Sequence, residues 1–266
     1  MTPAPRVILH AEAFGRHSAI NEGVERAHRY GLVTSAGLMA AGDALEDAVR
    51  RAREMPSLDL GLHLVLHGSD GRPLGFRQFP AAWLHGEVPV REIAGQLRQQ
   101  LDLLLRVHRL SLSHIASHGH VHAFPPVMRV VCAVAMEYGI PAVRLPADAP
   151  PPRFGHHGRR RPVAALRAAA RLARRHITAY GLRTADHCAG LALEGRLTAV
   201  ALAAYLRHVR PGVTEIICHP GADNRVLRQT LGGDYDWERD LAAVCDEAVR
   251  SYLTPGQVHL ATWRDV

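Results

Sequence analysis

The stretch RVILHAEAF at residues 6–14 is a compact apolar run with a polar end. Runs of this kind are typical of strands that are buried on both faces of a parallel sheet. LVTSAGLMA at residues 32–40 and LDLGLHLVL at residues 58–66 have the same character. Helix signals separate the three runs, so the chain begins as repeated βα units.

The same alternation continues along the chain. Ser18 is the predicted cap of a first helix that reaches Tyr30, and Asp43 with Glu46 is the predicted capping box of a second helix. Further helices are predicted over residues 90–108, 126–138, 163–176, 198–209 and 236–253, further strands over 112–117, 142–145, 214–218 and 257–262, a strand or loop near 184–190, and a loop to about residue 88.

This rhythm in 266 residues predicts an α/β fold with one domain, an irregular (β/α) barrel over residues 1–266. An open doubly wound sheet is the alternative. No G-x-G-x-x-G motif follows the first strand, so nucleotide binding has little support.

The composition, with 47% hydrophobic and 21% charged residues, is that of a globular protein. No run of about eighteen apolar residues occurs, so no membrane span is predicted. The first fifteen residues, MTPAPRVILHAEAFG, do not form a signal-peptide pattern. The four cysteines include no C-x-x-C pair and are predicted to be free thiols. We therefore expect a cytoplasmic protein.

The positive charge is concentrated in one segment. All 32 basic residues are Arg, and eight of them lie between Pro151 and Thr178, where no acidic residue occurs. We predict an Arg-rich insertion at about residues 147–178, which begins as a mobile loop over residues 147–162. A solvated helix is the simpler interpretation, and a lid that attracts an anionic substrate is the alternative. Nucleic-acid binding would depend on this segment alone and is not expected.

Polar side chains follow several of the predicted strands. Glu12 ends the first strand, His63 lies late in the third, His118 begins H-G-H-V-H after the strand at 112–117, and His219 follows the strand at 214–218. The carboxyl ends of parallel strands share one face, where active sites are built. We therefore expect these side chains to meet.

Such a group of side chains suits hydrolysis. Neutral imidazoles are common ligands of divalent metals, and a metal with open positions acidifies water and polarises a carbonyl. Glu12 could take the proton of that water, and His219 could protonate a leaving amine. The alternative is a polar loop with exposed imidazoles.

Several motifs in one order carry a resemblance over nearly the whole chain. They are HAEAFG (10–15), VTSAGLM (33–39), GLHL (61–64), ASHGHVHAFP (116–125), the Arg144-Leu-Pro segment, TADHCAG (184–190), CHPG (218–221) and WRDV (263–266). The chain resembles the YdjC/ChbG-like carbohydrate deacetylases, including their hopanoid-associated HpnK branch.

The resemblance implies an irregular (β/α) barrel of the polysaccharide-deacetylase type. It also implies a divalent metal (Zn, Mg, Ni or Co) and removal of N-acetyl groups from amino sugars. His63 and His118 match two metal ligands, and His219 matches a histidine near the reacting amide. Arg144 matches an arginine near the site, and with His120 and His122 it is predicted to bind substrate.

The chain departs from the family pattern where the acids should be. The family's first motif ends Asp-Asp-Phe-Gly, with one Asp as base and the next as third metal ligand, whereas this chain has Glu12 and Ala13. Ala116 replaces another Asp, and His10 replaces an Asn. A methyl group cannot bind a metal, so metal binding is the property that these departures affect.

Three accounts of the departures remain open. Glu12 could itself supply a metal ligand, which needs a backbone shift because adjacent strand side chains point to opposite sides. Metal binding could be weak or absent, with acid–base chemistry in the same pocket. The protein could also bind a sugar-like ligand without turnover.

The leading hypothesis is a metal-dependent hydrolase that removes an N-acetyl group from a small amino sugar or a glycosylated metabolite. The alternatives are metal-independent chemistry in the same barrel, in a specialised biosynthetic pathway, and a non-catalytic relative. The sequence leaves the oligomeric state open and allows a homodimer.

Overall fold

The structure is a computed structural model that describes residues 4–147, 160–253 and 258–266, with only the backbone at 160–162. Its strands are β1 (Arg6–Phe14), β2 (Ser35–Leu38), β3 (Asp59–Leu64), β4 (His114–Ser117), β5 (Ala142–Val143), β6 (His187–Ala189), β7 (Val213–Cys218) and β8 (His259–Leu260). Its α-helices are α1 (Ser18–Arg29), α2 (Leu45–Arg53), α3 (Phe79–Leu84), α4 (Val90–Asp102), α5 (Pro125–Glu137), α6 (Arg160–Ala179), α7 (Ala199–Arg207), α8 (Asn224–Leu231), α9 (Trp237–Val244) and α10 (Glu247–Arg250). Shorter helical turns lie at Leu103–Val107, His118–Ala123, Leu191–Leu193 and Trp263–Asp265.

Within these ranges the strands form one parallel sheet in the order β5-β4-β3-β2-β1-β7-β6, and β8 pairs with the first residues of β1. The chain just before β6 returns to β5. The Val143 N–H donates to the Arg183 carbonyl at 2.9 Å, and the Arg183 N–H donates to the Pro141 carbonyl at 3.0 Å. The sheet therefore curls until its two edges meet. This confirms the predicted α/β fold with an irregular barrel, and the open-sheet alternative was wrong.

Both faces of the sheet are covered, as parallel sheets require. Every residue of β1 from Val7 to Phe14 is buried. The helices pack on the outside through apolar stripes, such as Ile20, Val24 and Ala27 of α1. No helix in the described part of the chain is long and apolar enough to cross a bilayer. All four cysteines are free thiols.

Two helix starts differ from the prediction. The cap of α1 is His17, whose Nδ1 accepts from the Ala19 N–H at 3.1 Å, rather than Ser18. The predicted capping box at Asp43 is wrong, because α2 begins at Leu45 without a side-chain cap. Tertiary hydrogen bonds fix this start instead. The Asn21 amide donates to the carbonyl of the capping residue, Ala44, and to the Asp47 carboxylate, at 2.9 Å each.

Other boundaries differ for reasons of packing. The predicted loop before residue 88 contains α3, because Phe79 is buried and stacks on Phe124 at 5.1 Å between ring centroids. The predicted helix over residues 236–253 is two helices, since Asp246 starts a new one by accepting from the Val249 N–H. Most of the predicted mobile loop at 147–162 lies outside the described residues. Behind it, Arg171, Arg174 and Arg175 of α6 are exposed, which fits a solvated face.

The inside of the barrel carries a layer of imidazoles in place of branched aliphatic side chains. His10 of β1 and His114 of β4 are fully buried, with ring centroids 5.1 Å apart. His114 also stacks on the C-terminal Trp263 at 4.5 Å. Room for these rings comes from Gly61, where an added Cβ would lie 2.2 Å from the His114 ring. The glycine of β3 is therefore required by the polar layer.

A methyl group at Gly61 tests this packing. We expect Gly61→Ala to destabilise the fold by about 1–3 kcal/mol or more, because the methyl group would overlap a buried ring that cannot move away. Gly95→Ala is the matched control, since the space around Gly95 in α4 is open and the change should be neutral or stabilising by up to about 1 kcal/mol. Denaturant unfolding of both variants measures the difference, and equal stabilities would contradict the packing argument.

Candidate active site

A cavity of about 620 Å³ lies at the carboxyl ends of the strands. Five of the predicted residues line it, namely Glu12, His63, His118, His120 and His219. They come from β1, from β3, from the turn after β4 and from the end of β7. The structure therefore brings together side chains that are up to two hundred residues apart in sequence.

A bulge at the end of β1 shapes the floor of the cavity. The pairing of β1 with β2 shifts register between Ala11 and Phe14, and Ala13 has a left-handed backbone with φ of 62°. A bulge of this kind re-aims side chains that would otherwise alternate across the sheet. Both Glu12 and Ala13 line the cavity as a result, so the backbone shift considered from the sequence is present.

Glu12 is held from two sides. Its Oε1 accepts a short hydrogen bond from Nη1 of Arg144, and its Oε2 lies 2.9 Å from Nδ1 of His63. Burial acts to raise the pKa of Glu12, but Arg144 and His63 hold it well below its usual value. Glu12 is therefore an ionised carboxylate with its oxygens already engaged.

Arg144 carries the other half of a buried ion-pair cluster. Its Nε and Nη2 donate to the carboxylate of Glu215 on β7, at 2.9 Å and 2.6 Å. Arg144 and Glu215 are both fully buried. Burial raises the pKa of Glu215 although Arg144 opposes the rise. One guanidinium thus serves two carboxylates.

The pair of Glu12 and His63 defines which ring nitrogen faces the cavity. Nδ1 of His63 lies 2.9 Å from Oε2 of Glu12, so this contact favours the tautomer that carries its hydrogen on Nδ1 and leaves Nε2 as an acceptor. Among the described residues, Nε2 has no hydrogen-bond partner, and Nδ1 approaches Glu12 without the alignment of a regular hydrogen bond. The His118 ring lies 5.8 Å away, edge to face, and burial lowers the pKa of His118 to about 3, with His63 and Arg16 adding to the effect. His118 is therefore a neutral imidazole.

Another part of the cavity wall contains a second carboxylate with two imidazoles. Oε1 of Glu194 lies 3.8 Å from Nε2 of His219 and 3.8 Å from Nε2 of His120. The His219 N–H donates to the Asp240 carboxylate at 2.8 Å, which fixes the backbone at the end of β7. Burial lowers the pKa of both histidines, and Glu194 opposes the shift. This wall combines an anion with two imidazoles that can carry protons.

Two predicted substrate-binding residues lie behind the cavity wall. His122 is fully buried, with Nδ1 against the Ser117 hydroxyl and Nε2 3.1 Å from the Arg144 carbonyl. Arg144 is fully buried as described above. Neither is among the cavity-lining residues, because both are used to hold the elements beneath the site. Substrate contact by these two residues stays a prediction that the geometry does not favour.

The sequence interpretation missed several lining residues, including Arg16, Phe76, Glu194 and Tyr235. Arg16, Phe76 and Glu194 lie in segments that follow strands, and Tyr235 lies between α8 and α9. Pattern signals are weak in such segments; a search for polar residues just after every predicted strand would have found Arg16. Of the three tryptophans, Trp237 lines the cavity, whereas Trp83 packs on Phe79 at 5.6 Å between ring centroids.

The donors present do not fit the metal site that the family resemblance implies. Across residues 4–147, 163–253 and 258–266, no group of three or more His, Cys, Asp or Glu side chains is arranged to hold a metal ion. His63 and His118 face each other, but Ala13 offers only a methyl group. Glu12 is bound to Arg144 and His63, so it cannot serve as the third ligand without breaking that pair.

Comparisons with known proteins give a family and a fold. A family model described as YdjC-like protein matches residues 6–254. Carbohydrate deacetylases from Brevibacillus brevis and Mus musculus are 40% identical over 152 residues and 28% identical over 310 residues. The first match covers 53% of this chain and 59% of the relative, and the second covers 99% and 96%. A chitooligosaccharide deacetylase from Salmonella paratyphi B is 32% identical over 147 residues, which is 50% of this chain and 57% of the relative.

The chain thus spans less than two thirds of the bacterial relatives that it matches and nearly all of the mouse protein. A crystal structure from Enterococcus faecalis V583, described as a candidate cellobiose-phosphate cleavage protein, superposes with a TM-score of 0.75. It shares 21% identity, and the match covers 99% of both chains. At that identity the likeness shows the fold alone.

The buried imidazoles predict acid sensitivity. Burial holds the pKa of His10 well below 6.5, so the unfolded chain binds a proton there that the folded chain does not, and the free energy of unfolding falls as pH drops below about 6.5. Between pH 7 and pH 5 we expect the free energy of unfolding to fall by about 2 kcal/mol less in His10→Asn than in the parent. Denaturant unfolding at both pH values measures this.

Comparing the variant with the parent cancels the contributions of buried acids, whose effect on the free energy of unfolding has the opposite sign. Asp240, whose pKa burial raises to about 8, stabilises the fold on acidification in parent and variant alike. His85→Asn, at an exposed position, should show the same change in the free energy of unfolding between pH 7 and pH 5 as the parent. If His10→Asn shows the parent's slope, the buried imidazole is not the cause.

Proposed function

Because the chain belongs to the YdjC-like protein family, we propose that it hydrolyses the acetamide group of an N-acetylated amino sugar, releasing acetate and the free amine. Relatives named carbohydrate deacetylase and chitooligosaccharide deacetylase support this reaction class. The observation that carries the proposal is the meeting of Glu12, His63, His118 and His219 in one cavity. A small acetylated sugar is the expected substrate.

In this proposal the base is the pair of Glu12 and His63. The free Nε2 of His63 takes a proton from a water molecule as the water oxygen bonds to the amide carbon. Glu12 keeps the ring oriented through Nδ1 and stabilises the imidazolium that forms, as a carboxylate does behind a catalytic histidine. Arg144 holds Glu12 ionised and in place. This differs from the sequence hypothesis, in which Glu12 itself was the base.

The acid comes from the part of the cavity wall that contains Glu194. His219, with Glu194 near its Nε2, gives a proton to the amide nitrogen as the carbon–nitrogen bond breaks. The carboxylate favours the protonated imidazole before transfer. The proton that His63 takes from water offsets the proton that His219 gives, so the neutral amide and water become acetic acid and a neutral amine. The acetic acid then ionises to acetate, and its proton passes to the solvent.

Aromatic side chains support a sugar in this cavity. Tyr235 and Trp237 line it beside His219, with ring centroids 5.5 Å apart, and Phe76 lies in the wall as well. Aromatic faces pack well against the apolar faces of sugar rings, while their polar edges can reach hydroxyl groups. The cavity volume of about 620 Å³ is in the range of small-molecule sites.

A metal-dependent form of the reaction would need a third protein ligand. Since the described donors do not supply one, the steps above use only side chains of the chain. Of the three accounts drawn from the sequence, the contacts of Glu12 favour acid–base chemistry over a role of Glu12 as substitute ligand.

The proposed acid predicts a pH profile. Because burial lowers the pKa of His219 and the reaction needs its protonated form, we expect kcat/KM to fall as pH rises through a value below 6.5. His219→Asn should lower kcat by about 10²–10⁴-fold and abolish that limb of the profile. Release of acetate from N-acetylglucosamine oligosaccharides measures both. A folded protein that releases no acetate from them, or a variant with the parent's profile, would sink the assignment.

Restoring a carboxylate at position 13 tests the metal question. We expect Ala13→Asp to bind Zn²⁺ or Ni²⁺ at least about 10–100-fold more tightly than the parent, because His63 and His118 would gain an anionic partner. Asp tolerates the left-handed backbone of this position. Ala13→Asn, which has the same shape without the charge, is the control. Titration calorimetry measures affinity, and no gain in Ala13→Asp would mean that the cavity has been rebuilt for a purpose without metal.

A further inference from the structure

We propose that the guanidinium of Arg16 is a catalytic group that binds the oxyanion formed on the acetyl carbonyl and then the acetate product. This inference rests on the proposed function and adds the positive group that the reaction needs. When water adds to an amide, a full negative charge develops on oxygen, and stabilising that charge usually accelerates the reaction more than any other single effect. The described donors do not fit a metal ion, and a cation of the chain itself would supply this positive charge.

Arg16 is placed for this role by the bulge. Its backbone N–H donates to the Ala13 carbonyl at 3.1 Å, which closes a tight turn directly after Glu12. Asn21 of α1 anchors the turn, because the Gly15 N–H donates to the Asn21 side chain at 2.7 Å. The side chain of Arg16 lines the same cavity as Glu12, His63 and His118. The backbone that positions the base therefore also positions Arg16.

Arg16 differs in its partners from Arg144, the buried cation beside the site, and it differs in burial from Arg77, which also lines the cavity but is exposed. Arg144 forms ion pairs with Glu12 and Glu215, and it does not line the cavity. In the part of the chain that the structure describes, the side chain of Arg16 has no carboxylate partner and makes no hydrogen bond. It is nonetheless half-buried, and burial lowers its pKa. A partly desolvated charge without a partner is costly, and an anionic ligand would offset that cost.

The surroundings of Arg16 fit an anion on a reacting carbonyl. Its charge acts on His118 and interacts with Tyr235, which both line the cavity. The residue beside Glu12 is Ala13, so no carboxylate at that position competes for the guanidinium. The fork of parallel N–H groups on Arg matches the geometry of a carboxylate and of a tetrahedral centre with two oxygens. Acetate satisfies the same contacts after the carbon–nitrogen bond has broken.

The experiment compares Arg16→Met, Arg16→Lys and a surface control, Arg225→Met, which changes an exposed arginine of α8. We expect Arg16→Met to lower kcat by about 10²–10³-fold while KM changes by less than about threefold, since the interaction forms chiefly in the transition state. Arg16→Lys should recover part of the rate, because it keeps the charge but loses the fork. Arg225→Met should match the parent, and thermal unfolding verifies that each variant is folded.

A second readout does not depend on turnover. Sodium acetate, titrated into the full chain by calorimetry, should bind the parent at least about tenfold more tightly than Arg16→Met. If deacetylation occurs and Arg16→Met retains both the parent's kcat and its acetate affinity, the inference is overturned. If no sugar is deacetylated but acetate binding still depends on Arg16, the proposed function fails and the anion site stands.

Discussion

The rest of the site depends on the ion pairs that the buried guanidinium of Arg144 forms with two carboxylates. The guanidinium lies inside the barrel between the carboxylates of Glu12 and Glu215, from β1 and β7. Removing one member of such a buried cluster leaves a charge without a partner and typically costs about 3–5 kcal/mol. The barrel therefore accepts a buried cation that does not line the cavity, because that cation keeps Glu12 ionised beside His63.

Local irregularities then turn a regular sheet into a site. Ala13, with φ of 62°, and His120, with φ of 56°, have left-handed backbones that are uncommon outside glycine. The bulge at Ala13 brings Glu12, Ala13 and Arg16 to the floor of the cavity. The turn at His120 directs the side chain of this residue toward Glu194. Strained backbone of this kind clusters at functional sites, where the surrounding structure holds it in place. The cavity thereby contains two charged groups, the pair of Glu12 and His63 and the cluster of Glu194 with His120 and His219.

Most of the fold could be predicted because its signals are local. The apolar run of β1 was predicted with the observed bounds, and the parallel arrangement follows from the alternation of strands and helices. Boundaries failed where distant contacts decide them. The buried ring of Phe79 creates α3 in a predicted loop, and Asn21 replaces the expected cap of α2. Neither effect is visible in the neighbouring residues.

The sequence by itself determined that several imidazoles and one carboxylate follow parallel strands and must share one face, since the carboxyl ends of such strands meet. Its motifs also indicated the family and the absence of the second acid at position 13. Only the tertiary structure decided which groups each of these side chains contacts. Whether a carboxylate is a free base, a metal ligand or a support for His63 depends on which charges approach it across the barrel, and those charges come from residues more than a hundred positions away.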